Sequence, residues 1–373
     1  MKNKFKIILV ITVVCMFGCT KHNENQPNKD DCVNIDFFSE YNSRDFNMGF
    51  STWAYAPTEE SVVDTYKFIG ENSDIYSEHI DYKIPWNAWI NNLPLPLEFT
   101  NEIDSRVSRK ISNIKLTLSV SLLNTNRSDL ATDFDGSIPS YNALNDAVIE
   151  NAYFKHIQYL ATRFQPDYLI IAIEVNELKI KSPPKWEEYK ILISNVKARI
   201  IQEFPELKIS ESLTLHNLYQ PEVSSPEAYI NEMVSYANSM DFVAISYYPF
   251  FKGQHTKSDF QKAFDFLHNH INKPIAFSET CHLAQDLSIS SYDLFIESSE
   301  CEQNLYLESL LANAQEQKYE YVIWWTHRDY TELWLTFPDE LKDLGKLWRN
   351  TGLVTDNGSK RKAHTTWSLV LNK

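Results

Sequence analysis

Two glutamates stand where apolar, β-branched runs give way to polar residues. One is Glu177, just past "YLIIAIEV" (Tyr168 to Val175); the other is Glu279, in "PIAFSET". Carboxylates at the exits of two separate strands can face each other across a shared hollow. At ~5–5.5 Å such a pair suits retaining glycoside hydrolysis, with one residue as acid/base and the other as nucleophile; a wider gap suits inversion. Both jobs of that reaction are then covered: protonating the leaving oxygen and capturing the oxocarbenium-like centre. Glu174 is a rival on the same run. The two-residue period of a strand puts it on the opposite face from Glu177 and gives it an interior, structural role. Glu211, in the middle of "LKISESL", also reads as structural.

Elements able to position such a pair are legible along the chain. Strand-like runs lie at Phe46 to Trp53, Asp74 to Ile80, Lys115 to Leu122, Tyr168 to Val175, Leu207 to Leu213, Phe242 to Tyr248, Pro274 to Ser278 and Tyr321 to Trp325. Helical spacing fills the intervals. Thr58 is placed to cap the segment "EESVVDTYKFIGEN", and further helices are expected at Asn145 to Phe164, Trp186 to Glu203, Pro226 to Ser239, Ser258 to His270, Asn304 to Gln317 and Pro338 to Trp348. Strands alternating with helices describe a (β/α)8 TIM barrel in one domain, residues 45–373. The C-terminal ends of barrel strands and the loops after them form the working face, which is where both glutamates fall.

Other polar and aromatic residues fall on that face. His79 and Asp81 follow the second strand, His216 and Asn217 the fifth, and His327 and Arg328 the eighth. Each can hydrogen-bond a sugar hydroxyl, and each is equally readable as an ordinary loop residue. Among Trp53, Trp86, Trp89, Trp324 and Trp334, about half are expected in the core. Trp53 and Trp86, near the first two strands, are the candidates for stacking on a pyranose face.

Several short motifs occur in a family order: "VNE" at the fourth strand, "SYYP" (Ser246 to Pro249) at the sixth, "SET" at the seventh, "WW" at the eighth and "GLVTDNGSKRKAHTTW" near the end. From Phe46 onward the chain resembles the clan A glycoside hydrolases, most closely the arabinogalactan endo-β-1,4-galactanases. The resemblance implies Glu177 as acid/base and Glu279 as nucleophile, with Asn176 on the sugar 2-hydroxyl. It further implies Tyr248 or Tyr247 as the phenol that orients Glu279, and Trp325 as the floor of the subsite beside the cleaved bond. Two departures weaken the galactan assignment relative to the clan: Val175 stands where the family has Gly, and "GFSTWAY" matches loosely. Within the enzyme class, mannan, xylan, glucan or a host glycan are other substrates. A non-catalytic glycan-binding surface lipoprotein on the same scaffold is the alternative from a different class, disfavoured because both glutamates are kept.

The first residues have a different purpose. Lys2, Lys4 and Lys6 precede an apolar run from Ile7 to Gly18 that is short of the ~20 residues a spanning helix needs, so residues 1–18 read as an export signal. Cys19 follows Gly18 as in a bacterial lipobox. It is the expected lipid-bearing residue, anchoring the protein to the cell envelope, at the outer membrane or cell surface, through a polar tether over residues 19–44. A formal net charge of −15 and the lack of a basic stripe point away from nucleic acid and toward a neutral or cationic partner, here a polysaccharide or oligosaccharide. In an exported chain, Cys281–Cys301 is the one disulfide pairing considered, with Cys32, Cys281 and Cys301 otherwise best read as ordinary buried thiols. No metal or organic cofactor is expected for the chemistry, since the glutamate pair supplies both proton transfer and nucleophile; a structural calcium on an acidic loop is left open, and the chain is expected to act as a monomer.

Overall fold

The structure, a computed structural model, describes residues 38–373. Its strands are β1 Asn47–Ser51, β2 Ile75–Ile80, β3 Lys115–Val120, β4 Tyr168–Ile170, β5 Lys208–Ser210, β6 Ser212–Thr214, β7 Val243–Tyr247, β8 Ile275–Thr280, β9 Gln285–Ile289, β10 Leu294–Ser299 and β11 Tyr321–Trp324. All but β9 and β10 form one sheet, ordered β5-β4-β3-β2-β1-β11-β8-β7-β6, with every neighbouring pair parallel. β5 and β6 are two halves of one barrel strand interrupted at Glu211. The first half pairs with β4 and the second with β7, so the ring is a (β/α)8 barrel closed through this broken strand.

Side-chain alternation sorts the core into two layers. Ile75, Tyr168, Ile170, Ile173, Phe242, Ala244, Ala276, Tyr321 and Ile323 form a separate buried cluster that plugs the barrel. Tyr168 and Tyr321 meet edge to face there at 5.0 Å, and the Tyr321 phenol lies 3.1 Å from Thr117 Oγ1. Opposite-facing residues such as Leu116, Leu118, Leu169 and Ile209 pack outward beneath the helices. Gly49 is required on β1, because a Cβ there would sit 1.7 Å from the Ile75 carbonyl oxygen.

The helices follow the sequence reading closely. Thr58 caps Glu59–Asn72 by accepting from the Ser61 amide, and Thr256 with Asp259 makes a capping box at Lys257–His270. The hairpin of β9 and β10 and the closing helix Lys362–Leu371 were not anticipated. The proposed signal over 1–18, Cys19 and most of the tether lie outside the described residues. The tether boundary needs correction, because Phe38 is buried against Tyr41 and Phe46 and Arg44 pairs with Asp74. Cys281 is a free, buried thiol beside Thr351, so the Cys281–Cys301 pairing does not form.

Burial of a histidine in this core gives a pH-dependent stability. The Trp89 indole donates to His156 Nδ1 at 3.2 Å, and burial pushes the His156 pKa down to about 3. The unfolded imidazole titrates near ~6.5. Stability from the neutral ring is therefore complete above pH ~6.5 and is lost as pH falls toward the folded value. His156→Gln keeps an acceptor for Trp89 and cannot be protonated. Between pH 7 and 4 the variant should lose about 3 kcal/mol less unfolding free energy than the wild type, measured by urea titration. Equal losses in the two proteins would show that His156 does not carry the acid limb.

Candidate active site

At the C-terminal mouth of the barrel, Glu279 projects from the end of β8. Its Oε1 accepts a hydrogen bond from the Tyr248 phenol, just past β7, and its Oε2 lies 3.5 Å from His79 Nδ1 at the end of β2. His79 packs edge-on against Trp325 at 5.1 Å, and Trp325 in turn lies 5.4 Å from Trp53. Trp53, Trp325 and His79 line a cavity of about 230 Å³ that runs outward to Arg106 and Arg109. Of the two tyrosines offered for Glu279, Tyr248 makes the contact. Tyr247 is fully buried and donates to Gln254 Oε1 at 2.5 Å.

The second carboxylate at this mouth is Glu174. Its Oε1 accepts from Ser246 Oγ at 2.7 Å, at the end of β7, and its Oε2 accepts from Arg127 Nε at 3.1 Å. Arg127, in the loop after β3, also holds Asp81 through two hydrogen bonds of 2.7 and 2.5 Å. The charges of Glu174, Asp81, His79 and Arg127 all act on Glu279, so these five groups form one electrostatic cluster.

Strand alternation fails here because the ladder of β4 stops at Ile170. Ile171 and Ala172 both pack in the outer layer, and Ile173 returns to the barrel interior. Glu174 then takes a left-handed backbone, φ +54°, with its amide donating to Ser212 Oγ at 2.8 Å. A non-glycine residue in that region carries conformational strain, which the surrounding hydrogen bonds must hold. The turn raises the Glu174 side chain above the plug and starts the short helix Asn176–Lys181.

Glu177 consequently occupies a different place. Its Oε1 accepts from Thr214 Oγ1 and Asn217 Nδ2, each at 2.6 Å, and its Oε2 lies 3.2 Å from Lys181 Nζ. Burial works against its charge, but Lys181, His216 and the two hydrogen bonds outweigh it and hold the carboxyl below its ordinary range. Asn176 is fully buried, with its amide nitrogen spent on Thr214 and Tyr229 and its amide oxygen accepting from the Thr214 amide at 2.8 Å. Neither atom is left for a sugar 2-hydroxyl.

Glu279 is pushed up to about 8, by burial first and by the negative charges of Glu174 and Asp81, against His79 and Arg127. For His79, burial opposes the protonated form, yet the charges of Glu279 and Asp81 raise its pKa overall. Both shifts describe one proton retained in the cluster. When it sits on His79, Glu279 is an ionised carboxylate oriented by the Tyr248 phenol.

The remaining sequence candidates divide. Trp53, Trp325 and His79 reach the site. His216 is buried and feels both Glu177 and Glu174, and Asn217 serves Glu177. Trp86 is core, its indole donating to the Ala131 carbonyl at 2.7 Å, so it is unavailable for stacking. His327 is buried against Phe68 at 4.7 Å, and Arg328 lies over the Tyr55 ring and bonds the Asp356 carbonyl, so neither meets the carboxylates. Glu211 is structural, as expected, accepting from the Tyr189 and Tyr236 phenols. Arg127 and Ser246 were not singled out from sequence, and Glu174 was given the wrong orientation. The polar break "NTNRSD" after β3 was the one available signal for Arg127.

Comparisons with known proteins fit the barrel fold. Residues 141–317 match the model of glycosyl hydrolase family 53. No curated protein matches the sequence. Among solved structures, the chain is similar to a family 53 catalytic domain from Ignisphaera aggregans, at 18% identity and TM-score 0.59, over 87% of this chain and 96% of that one. It is also similar to a GH5_18 protein from Bifidobacterium longum in complex with Manβ1-4GlcNAc, at 13% identity and TM-score 0.61, over 88% and 78% of the two chains. A β-glucuronidase from an uncultured Clostridium is similar at 12% identity and TM-score 0.54, over 88% of this chain and 50% of that one.

Proposed function

We propose that this chain, a clan A glycoside hydrolase most like the arabinogalactan endo-β-1,4-galactanases of family 53, cleaves a β-linked polysaccharide internally with Glu279 as nucleophile and Glu174 as acid/base. The single observation that carries the assignment is the cluster at the barrel mouth, in which Glu174 and Glu279 feel each other's charge while Tyr248 and His79 contact Glu279. In the first step Glu279 attacks the anomeric carbon and the acid/base protonates the departing oxygen. In the second the same residue, now a base, takes a proton from water as water displaces Glu279, and the anomeric configuration is retained. His79 lies against Glu279 Oε2, and Arg127 holds both Asp81 and Glu174. Trp325 and Trp53 offer apolar faces for the sugars on either side of the cleaved bond.

Galactan cut internally is the favoured reading because the matched family is that of the arabinogalactan endo-β-1,4-galactanases the sequence resembles. Incubation with galactan, mannan, xylan and β-glucan, followed by chromatography of the products, tests this. Short galacto-oligosaccharides of mixed length support the reading. Monosaccharide as the sole early product, or release from another polymer alone, overturns the endo-galactanase part.

The sequence also supports anchorage by a lipid on Cys19, with the enzyme working outside the cell as a monomer. Cys19→Ser should move the protein from the membrane fraction to the soluble one on cell fractionation. Membrane retention of the variant with its signal cleaved would refute lipidation at Cys19.

A further inference from the structure

Away from the carboxylate cluster, three side chains from three separate segments converge. His255 precedes the helix Lys257–His270, His282 follows β8, and Glu302 lies in the first turn of the helix Glu300–Glu316. Each offers one ligand-type atom, and these atoms all lie within 4.8 Å of one another. Glu302 Oε1 is 2.6 Å from His255 Nδ1 and 3.4 Å from His282 Nε2.

We infer that His255, His282 and Glu302 form a binding site for a first-row divalent cation, zinc above all, which joins the loops after β7 and β8. The proposed glycosidase chemistry does not use these residues. The orientation of His282 is the main argument. Its ring is wholly buried among Phe250, Phe260 and Tyr306, and its Nδ1 lies 3.1 Å from the Leu283 carbonyl, a contact that requires an N–H on Nδ1. Nε2 is then the lone-pair nitrogen. It has no hydrogen-bond partner, and it faces a carboxylate oxygen, so two lone pairs oppose each other inside the protein.

A cation placed between them relieves that repulsion. A metal ion satisfies both atoms. An imidazole whose other nitrogen donates to a backbone carbonyl is the usual orientation of a metal-bound histidine, because that hydrogen bond fixes the tautomer. Metal–nitrogen and metal–oxygen bonds of about 2.0–2.2 Å put neighbouring donors roughly 3.3 Å apart in a tetrahedron. The His282–Glu302 separation already meets this, and His255, partly exposed and on a loop, can open its shorter contact. Two imidazoles with one carboxylate favour zinc or a similar ion over calcium or magnesium, which prefer oxygen-rich cages.

The test uses the mature full-length protein, stripped with a chelator and titrated with zinc chloride by calorimetry at pH 7.5. One equivalent should bind, with a rise in Tm, and cobalt(II) in its place should give the visible absorption of a low-coordinate nitrogen and oxygen site. His255→Gln and Glu302→Gln alter partly exposed side chains and should fold, so they carry the test where His282→Ala fails to. Each should weaken zinc binding at least tenfold while leaving the far-ultraviolet circular dichroism unchanged. Wild-type protein that binds less than half an equivalent, or variants that bind zinc as the wild type does, would overturn the site. Because the readout is metal binding, loss of this site and failure of the glycosidase assignment remain separable.

Discussion

Glu279→Ala is expected to abolish turnover on every substrate, whatever its leaving group, with kcat/KM reduced on the order of 10⁴-fold or more. No other group can take over the attack. The neighbouring carboxylates are held elsewhere, Asp81 by Arg127 and Glu177 by Thr214, Asn217 and Lys181. Without Glu279 no glycosyl-enzyme forms, so an activated aryl glycoside gains nothing from its good leaving group. Added azide should give either no product or the α-glycosyl azide, by direct displacement in the vacated space. Tyr248→Phe is the graded companion. It removes the phenol that orients Glu279 but leaves the carboxylate, so kcat should fall by a smaller factor with little change in KM. Wild-type rates in Glu279→Ala would remove it from the mechanism.

The barrel was legible in the sequence because its cause is local and repeated. Each buried parallel strand needs an unbroken apolar run of a few residues, and each helix that covers it needs a cap and an apolar stripe. Thr58 and the segment Trp186–Glu203 show how closely those signals mark an element. Glu279 was legible from its place at the exit of an apolar run, although β8 shifts register against β7 and β11 just before it, so strand alternation alone does not give the direction of its side chain. Glu174 was not. Its orientation depends on a left-handed turn and on two successive outward residues, Ile171 and Ala172, and neither feature has a glycine or proline to announce it. Arg127 reaches the site from a loop whose path is set by tertiary contacts, including its bonds to Asp81 and Glu174. The tryptophans illustrate a third limit. Trp53 and Trp86 are alike in type and neighbourhood, and only packing decides that one floors a cavity while the other donates to the Ala131 carbonyl in the core.

The two glutamates near the fourth strand make opposite forecasts. If Glu174 is the acid/base, Glu174→Ala should still be glycosylated by a substrate with an activated aryl leaving group, which departs without a proton. Release from the enzyme should then be slow, because the base that activates water is missing. Azide needs no base, so it should restore turnover of Glu174→Ala and yield a β-configured glycosyl azide. On polysaccharide, where the leaving oxygen must be protonated, the same variant should lose on the order of 10²–10⁴-fold in rate. Glu177→Ala should behave otherwise. Its carboxylate is ionised and saturated by Thr214, Asn217 and Lys181, and it lends charge to the buried His216, so its removal loosens the loop after β6. That predicts a lower Tm and a modest loss of rate on aryl glycoside and polysaccharide alike, with no azide product. The surroundings of the two residues point the same way. Lys181, with the Thr214 and Asn217 hydrogen bonds, holds Glu177 below its ordinary carboxylate range, whereas Glu174 stands in the cluster that acts on Glu279. Azide rescue of Glu177→Ala together with its absence in Glu174→Ala would reverse the assignment and return the acid/base to the residue that the "VNE" motif first suggested.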